Sequence, residues 1–181
     1  MFKRRALITA PLIAAPLLVL SACGFELRRA AELRFRTIHL SGFRPRSPLA
    51  DELRMNIDAS VTTRVVETAA QAQVVLEVIA EVRTKGVAAS TAVGQVTEFQ
   101  LRERFNFRLR SADGRDLIPA TEIVLIRDMS YTESAALGKE QEEAALYRAM
   151  QSDIVAQVMR RLASIQSLPT PPLTPALAPA L

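Results

Sequence analysis

Side chains able to make or break bonds are scarce in this chain, which has one cysteine, Cys23, and one histidine, His39. Nucleophilic catalysis needs a nucleophile beside a base. Cys23 lies at the end of an apolar N-terminal segment, and His39 stands alone in the short run Thr37-Ile38-His39-Leu40, so a structural role is expected of the histidine. Glu140, Glu142 and Glu143 form an acidic cluster, but carboxylates near the start of a helix are ordinarily there to meet the positive end of its dipole. No HExxH, GxSxG, GxGxxG or P-loop spacing occurs. One cysteine also excludes an internal disulfide framework and any multi-cysteine zinc site. The expectation is a binding protein, not an enzyme, with no metal and no dissociable cofactor.

A second kind of chemistry is carried by arginine. Gln100, Arg102, Arg104, Asn106, Arg108 and Arg110 alternate with Phe99, Leu101, Phe105, Phe107 and Leu109, the period-two pattern of a half-buried antiparallel strand. The polar row is either a solvated face or an anion-binding surface. Guanidinium groups at this spacing suit phosphate or carboxylate, which they grip in pairs of parallel hydrogen bonds.

Where the positive charge lies decides which anion is meant. Lys and Arg total 23 against 19 Asp and Glu, a formal net charge of +4. Lys3, Arg4 and Arg5 precede an apolar stretch from Ala6 to Leu20, followed by the small residues Ser21 and Ala22, which is the tripartite form of a secretory signal. Fifteen residues interrupted by Pro11 and Pro16 are too few for a bilayer span, which takes about 20. Removal of residues 1–22 would leave a nearly neutral chain, so no nucleic-acid partner is expected, while anionic lipid remains a possible ligand. The run Leu20-Ser21-Ala22-Cys23-Gly24 resembles the lipobox of bacterial lipoproteins. That resemblance implies cleavage before Cys23 and a covalent lipid on its thiol, with two or three acyl chains anchoring the protein durably to a membrane. Gly24, in place of an Asp there, permits sorting to the outer membrane.

These groups must be positioned by one domain, expected over residues 37–167, between a lipidated tether at 23–36 and a Pro-rich disordered tail at 168–181. Thr37 to Leu40 reads as a short strand before Ser41-Gly42. Ser47-Pro48 supplies an N-cap and a first-turn proline for a helix over 48–60, with Leu49, Leu53 and Ile57 on one face. Val61 to Val66 is β-branched and undecided. Val74, Leu76, Val78, Ala80 and Val82 alternate in a central strand over 74–83, and Lys85 to Gly94 reads as a hairpin loop. Asp113-Gly114 marks a turn into a strand over 117–129. From Lys139 to Ile165 the period becomes helical, with Leu146, Met150, Ile154, Val158 and Leu162 as the stripe. The fold expected is α+β: two helices on one face of a four-stranded mixed sheet, in the order β-α-β-β-β-α, with the first two strands parallel and the rest a meander.

Several segments together resemble the LptE family of lipopolysaccharide-assembly lipoproteins. They are Cys23-Gly24-Phe25-Glu26-Leu27-Arg28, Gly94 to Leu101, Gly114-Arg115-Asp116-Leu117, Arg127 with Tyr131, and Ala136-Leu137-Gly138-Lys139-Glu140 opening a helix that ends Arg160-Arg161-Leu162. The resemblance implies an outer-membrane lipoprotein on the periplasmic side that plugs the LptD β-barrel, one to one, assists its assembly and binds lipopolysaccharide. Of the family's two basic contact positions, one corresponds to Lys139; the other falls near Ala92, where Arg83 and Lys85 are the nearest basic residues. Lys139, Lys85, Arg102 and Arg104 are therefore the candidate lipopolysaccharide contacts. The rival expectation is a periplasmic accessory lipoprotein of an ATPase-linked lipid-transport complex.

Overall fold

A computed structural model describes residues 32–165. The expected signal segment 1–22, Cys23 and the tail 168–181 lie outside the described residues. Five strands form one mixed sheet: β1 (Thr37–Ser41), β2 (Arg64–Val66), β3 (Val74–Ser90), β4 (Val96–Ser111) and β5 (Asp116–Ser130), in the spatial order β2-β1-β3-β4-β5. Helix α1 (Pro48–Asp58) follows β1, and helix α2 (Ala136–Ala163) follows β5.

The α+β class, the two helices and the mixed sheet match the expectation, but the sheet has five strands instead of four. The extra strand is β2, which runs parallel to β1 with Thr37 opposite Arg64 and His39 opposite Val66. Three residues are too few to show alternation, and what fixes them is the free edge of β1, whose backbone groups need partners. On its other side β1 pairs in parallel with β3, and β3, β4 and β5 form the antiparallel meander.

Helix α1 starts where its sequence directs: Ser47 Oγ accepts from the Ala50 N–H at 3.3 Å, and Pro48 takes the first helical position. Its buried residues are Leu49, Leu53 and Ile57. Helix α2 begins at Ala136, three residues before Lys139, so Glu140, Glu142 and Glu143 lie past its first turn. Glu142 and Glu143 are instead engaged in ion pairs with Lys139 and Lys85, described below. Both helices share a core with the sheet, built on Ile38, Leu76, Phe105, Phe107, Leu109, Ile154, Val158 and Leu162.

Three boundaries move for physical reasons. The tether expected over 23–36 does not run to Arg36, because Leu33 and Phe35 are buried in the core and the Phe35 carbonyl accepts from Thr63 Oγ1 at 2.5 Å. Two apolar side chains set among Arg34 and Arg36 were too few to show a period. Strand β3 continues through the expected loop to Ser90, leaving a turn at 91–95 in which Thr91 N–H donates to the Gln95 carbonyl at 2.8 Å. The small residues Gly86, Ala88 and Ala89 have little strand preference of their own, and the strongly patterned β4 holds them by cross-strand pairing.

The third change is a register shift in β3 between Val78 and Ala80. A bulge leaves one residue unpaired and exchanges the faces that follow it. Val74, Leu76 and Val78 point into the core, but beyond Ile79 the inward positions are Glu81, Arg83 and Lys85, while Ala80 and Val82 turn to the open face. The expected alternation from Val74 to Val82 therefore stops at Val78. Pro119 sits within β5, an edge strand, at a second register irregularity between Phe107/Thr121 and Leu109/Ile118, where a missing N–H is tolerated.

Candidate functional site

Strand β4 presents its two side-chain rows to different surroundings. On the row away from the helices, carboxylates of neighbouring strands meet the arginines one by one. Arg108 Nη2 lies 2.7 Å from Glu77 on β3, and Arg104 Nε lies 3.6 Å from Glu122 on β5. Arg110 Nε lies 3.5 Å from Asp116, and Gln100 donates to Asp128 at 3.2 Å. Arg102 stands opposite Thr84 and Ile126 and has no carboxylate within 4.0 Å among the described residues. It borders an open depression of about 380 Å³, formed where Gly86 supplies no side chain, with Thr84, Lys85, Val87, Ala88 and Gln100 around it. Ile79, Val124 and Ile126 are exposed on the sheet, so this face mixes apolar and charged groups.

The helix-side row holds a polar network that the alternation pattern did not single out. Glu103 occupies an inward position between Leu101 and Phe105, and its side chain is fully buried. Arg83, its direct cross-strand neighbour, donates to Glu103 Oε1 from Nε at 3.0 Å and to Gln151 Oε1 on α2 at 3.2 Å. Gln151 in turn donates to Glu52 on α1 at 2.8 Å, so one chain of contacts joins the sheet to both helices. Burial pushes the Glu103 carboxyl above its ordinary value, against the opposing pull of the Arg83 charge and hydrogen bond. The signal that could have revealed this network is the charged residue itself, set at an apolar position of an otherwise clean alternation.

Along the same side, toward the start of α2, Lys85 Nζ lies 2.6 Å from Glu143 and 4.3 Å from the centroid of the Phe99 ring, which packs edge-on against Tyr131. Lys139 Nζ is bound 2.7 Å from Glu142 and donates to Ser130 Oγ at 3.0 Å. The Tyr147 hydroxyl donates to the Thr84 carbonyl at 3.1 Å, beneath the Arg83 guanidinium. Burial, with Glu143 nearby, raises the Tyr147 phenol above its usual range.

The four candidate contacts therefore do not form one site. Lys85 and Lys139 share the helix side and are each held by a glutamate; Arg102 and Arg104 project from the opposite face, Arg104 paired and Arg102 exposed. An anion reaching either lysine must compete with a carboxylate already in place, whereas Arg102 offers its guanidinium directly. His39 Nδ1 lies 3.1 Å from the Val66 carbonyl oxygen, tying β1 to β2, as a structural histidine would. Among the described residues no group of three or more His, Cys, Asp and Glu side chains gathers as a metal site.

Comparison with known proteins places this geometry in a group. Solved structures that share the fold include three lipoproteins. A lipoprotein B from Nitrosomonas europaea is 28% identical, with a TM-score of 0.66, covering 77% of this chain and 90% of its own. The rare lipoprotein B from Shewanella oneidensis is 19% identical, with a TM-score of 0.61 over 71% and 95% of the two chains. A minor lipoprotein from Acinetobacter baumannii is 19% identical, with a TM-score of 0.59 over 72% and 92%. No curated protein matches this chain significantly. The model of the lipopolysaccharide-assembly family LptE matches residues 35–162, from the buried Phe35 at the start of the core to the last turn of α2. The chain belongs to the LptE lipopolysaccharide-assembly family.

Proposed function

We propose that this protein is a lipid-anchored component of lipopolysaccharide assembly at the outer membrane, attached through Cys23 and seated in an LptD-type β-barrel in a one-to-one complex. The observation that carries the reading is the family match over residues 35–162, joined to a sheet whose second face has no covering layer among the described residues. That face is charged, yet most of its charges are neutralised in pairs, which suits the polar interior of a large barrel. The role is one of binding and plugging, with no enzymatic step.

Lipopolysaccharide would be recognised through its phosphates, with Arg102 as first contact and Lys85 or Lys139 engaged only on release from Glu143 or Glu142. Purification from detergent-solubilised outer membrane tests the partner. A stoichiometric β-barrel protein supports the proposal, and an ATPase-linked complex would favour the lipid-transport accessory instead. Mass spectrometry of the mature N-terminus tests the anchor: acyl chains on Cys23 are expected, and a free thiol there refutes it.

A further inference from the structure

The register across the sheet brings one set of termini to one end of the molecule. Thr37, Arg64, Val74 and Ser111 stand side by side, and the β4–β5 turn continues that row. Helix α1 ends at the same place, because the Arg64 guanidinium reaches the Asp58 and Ser60 carbonyls. Helix α2 ends there too, since it leaves Ser130 at the opposite end and runs back along the sheet until Arg161 lies 5.9 Å from the Phe107 ring.

This end is cationic. It gathers Arg34, Arg36, Arg64, Arg115, Arg160 and Arg161 against Glu32, Asp58 and Asp113, six positive groups to three negative, while Arg110 and Asp116 cancel as a pair. Arg34, Arg36 and Arg160 are exposed and have no carboxylate within 4.0 Å among the described residues. Val61, 92% exposed, and Met55, 65% exposed, add apolar surface next to them. The other end, around the start of α2, has the reverse balance, with Glu133, Glu140, Glu142 and Glu143 against Lys85 and Lys139. The cationic end is also where the chain arrives from Cys23. Cys23 lies ten positions before Leu33, a span of at most about 35 Å even when fully extended.

We propose that this end of the domain is a membrane-facing surface that binds the anionic headgroups of a phospholipid bilayer, with Arg34, Arg36 and Arg160 as the principal contacts. It rests on the anchoring of Cys23 only for its place in the cell. A lipid on Cys23 holds this end, and not the acidic end, within reach of the bilayer. There the excess arginines meet phosphate, and Val61 and Met55 can sink toward the acyl boundary. The occupant follows from charge complementarity and from where the chain enters.

The test uses the mature chain beginning at residue 23 with Cys23→Ser, so that no acyl chain contributes, and vesicles of phosphatidylcholine alone or mixed with phosphatidylglycerol. Binding to the mixed vesicles should be tighter by on the order of tenfold or more, and it should weaken with salt as the screening length falls from about 10 Å at 0.1 M toward about 3 Å at 1 M. Arg36→Glu combined with Arg160→Glu should remove the preference, with circular dichroism confirming the fold. Arg148→Glu, on an exposed stretch of α2 away from this end, should keep most of it. Equal binding to both vesicles, insensitivity to the double reversal, or equal loss with Arg148→Glu would each overturn the proposal. So would loss of barrel co-purification in the double variant with vesicle binding unchanged, which assigns this end to a protein partner. The anchor itself is judged separately, by the mass of the mature N-terminus, so that failure of one reading is not mistaken for failure of the other.

Discussion

The two rows of β4 use their ionic groups in opposite ways, four arginines on the open row and Glu103 alone on the helix row. On the open row, Arg104 and Arg108 are a third to a half exposed and pair with Glu122 and Glu77 across the sheet. Such pairs stay in contact with water and contribute about 0 to 1 kcal/mol each. On the helix row, Glu103 has lost its hydration entirely, so its value to the fold depends on Arg83 staying in place. One row is tolerant because water can replace any partner that leaves. The other is exacting because nothing can.

Removing Arg83 should break the comparison most visibly. Arg83→Ala leaves a fully buried carboxylate without its counter-ion and frees Gln151 Oε1, and a loss of about 3 to 5 kcal/mol in unfolding free energy is expected from denaturant titration at neutral pH. A loss below about 1 kcal/mol, the level of an exposed pair, would mean that Glu103 is hydrated as the open row is.

Gly42 tests the bulge that sends Arg83 to the helix side at all. It has φ +79°, and a Cβ there would collide with the Val78 carbonyl, beside the unpaired Ile79. Gly42→Ala should cost about 2 to 4 kcal/mol, combining a left-handed backbone with a backbone clash. Thermal unfolding measures it. Gly94→Ala, also at positive φ but with open space around the position, should cost less, and equal losses would deny the clash.

The same contrast separates what could be read from the sequence from what could not. The alternation of β4, the Ser47-Pro48 start of α1, the stripe of α2 and the Asp113-Gly114 turn are local signals, and each element formed near its expected place. The face exchange at Ile79 is not local, since a bulge is defined by the partner strand, so Ala80 and Val82 were assigned to the wrong face. The arrangement of the candidate residues was hidden for the same reason. Lys85, Lys139, Arg102 and Arg104 are legible as cations, but only register and helix packing decide that Glu143 and Glu142 already hold the lysines. Leu33 and Phe35 were missed because a core residue at a chain terminus has too few neighbours in sequence to show a period.

Acid provides the third test. Burial raises the Glu103 carboxyl above 4.5, so the folded chain keeps its proton to higher pH than the unfolded chain does. The contribution of this group to stability is therefore complete below about pH 4.5 and declines as pH rises through the raised folded value. Glu103→Gln should flatten that part of the melting-temperature profile. The loss caused by Arg83→Ala should also shrink in acid, where the orphaned carboxyl is neutral; an undiminished loss would point to packing of the arginine stem.

The smallest expected effect lies on the open row and sharpens the comparison from its other side. Glu122→Gln releases Arg104 from its only carboxylate within 4.0 Å among the described residues. Because both groups are about half exposed, water takes over the lost contact and unfolding free energy should change by less than about 1 kcal/mol. The freed guanidinium, two positions from Arg102 on the same face, should nevertheless strengthen binding of lipopolysaccharide or of inorganic phosphate at low salt, since one competing negative charge is gone. An anion titration of the wild type and Glu122→Gln decides the matter. Unchanged affinity would show that this face is neutralised as a whole and serves as a polar lining, leaving anion binding to groups elsewhere on the molecule.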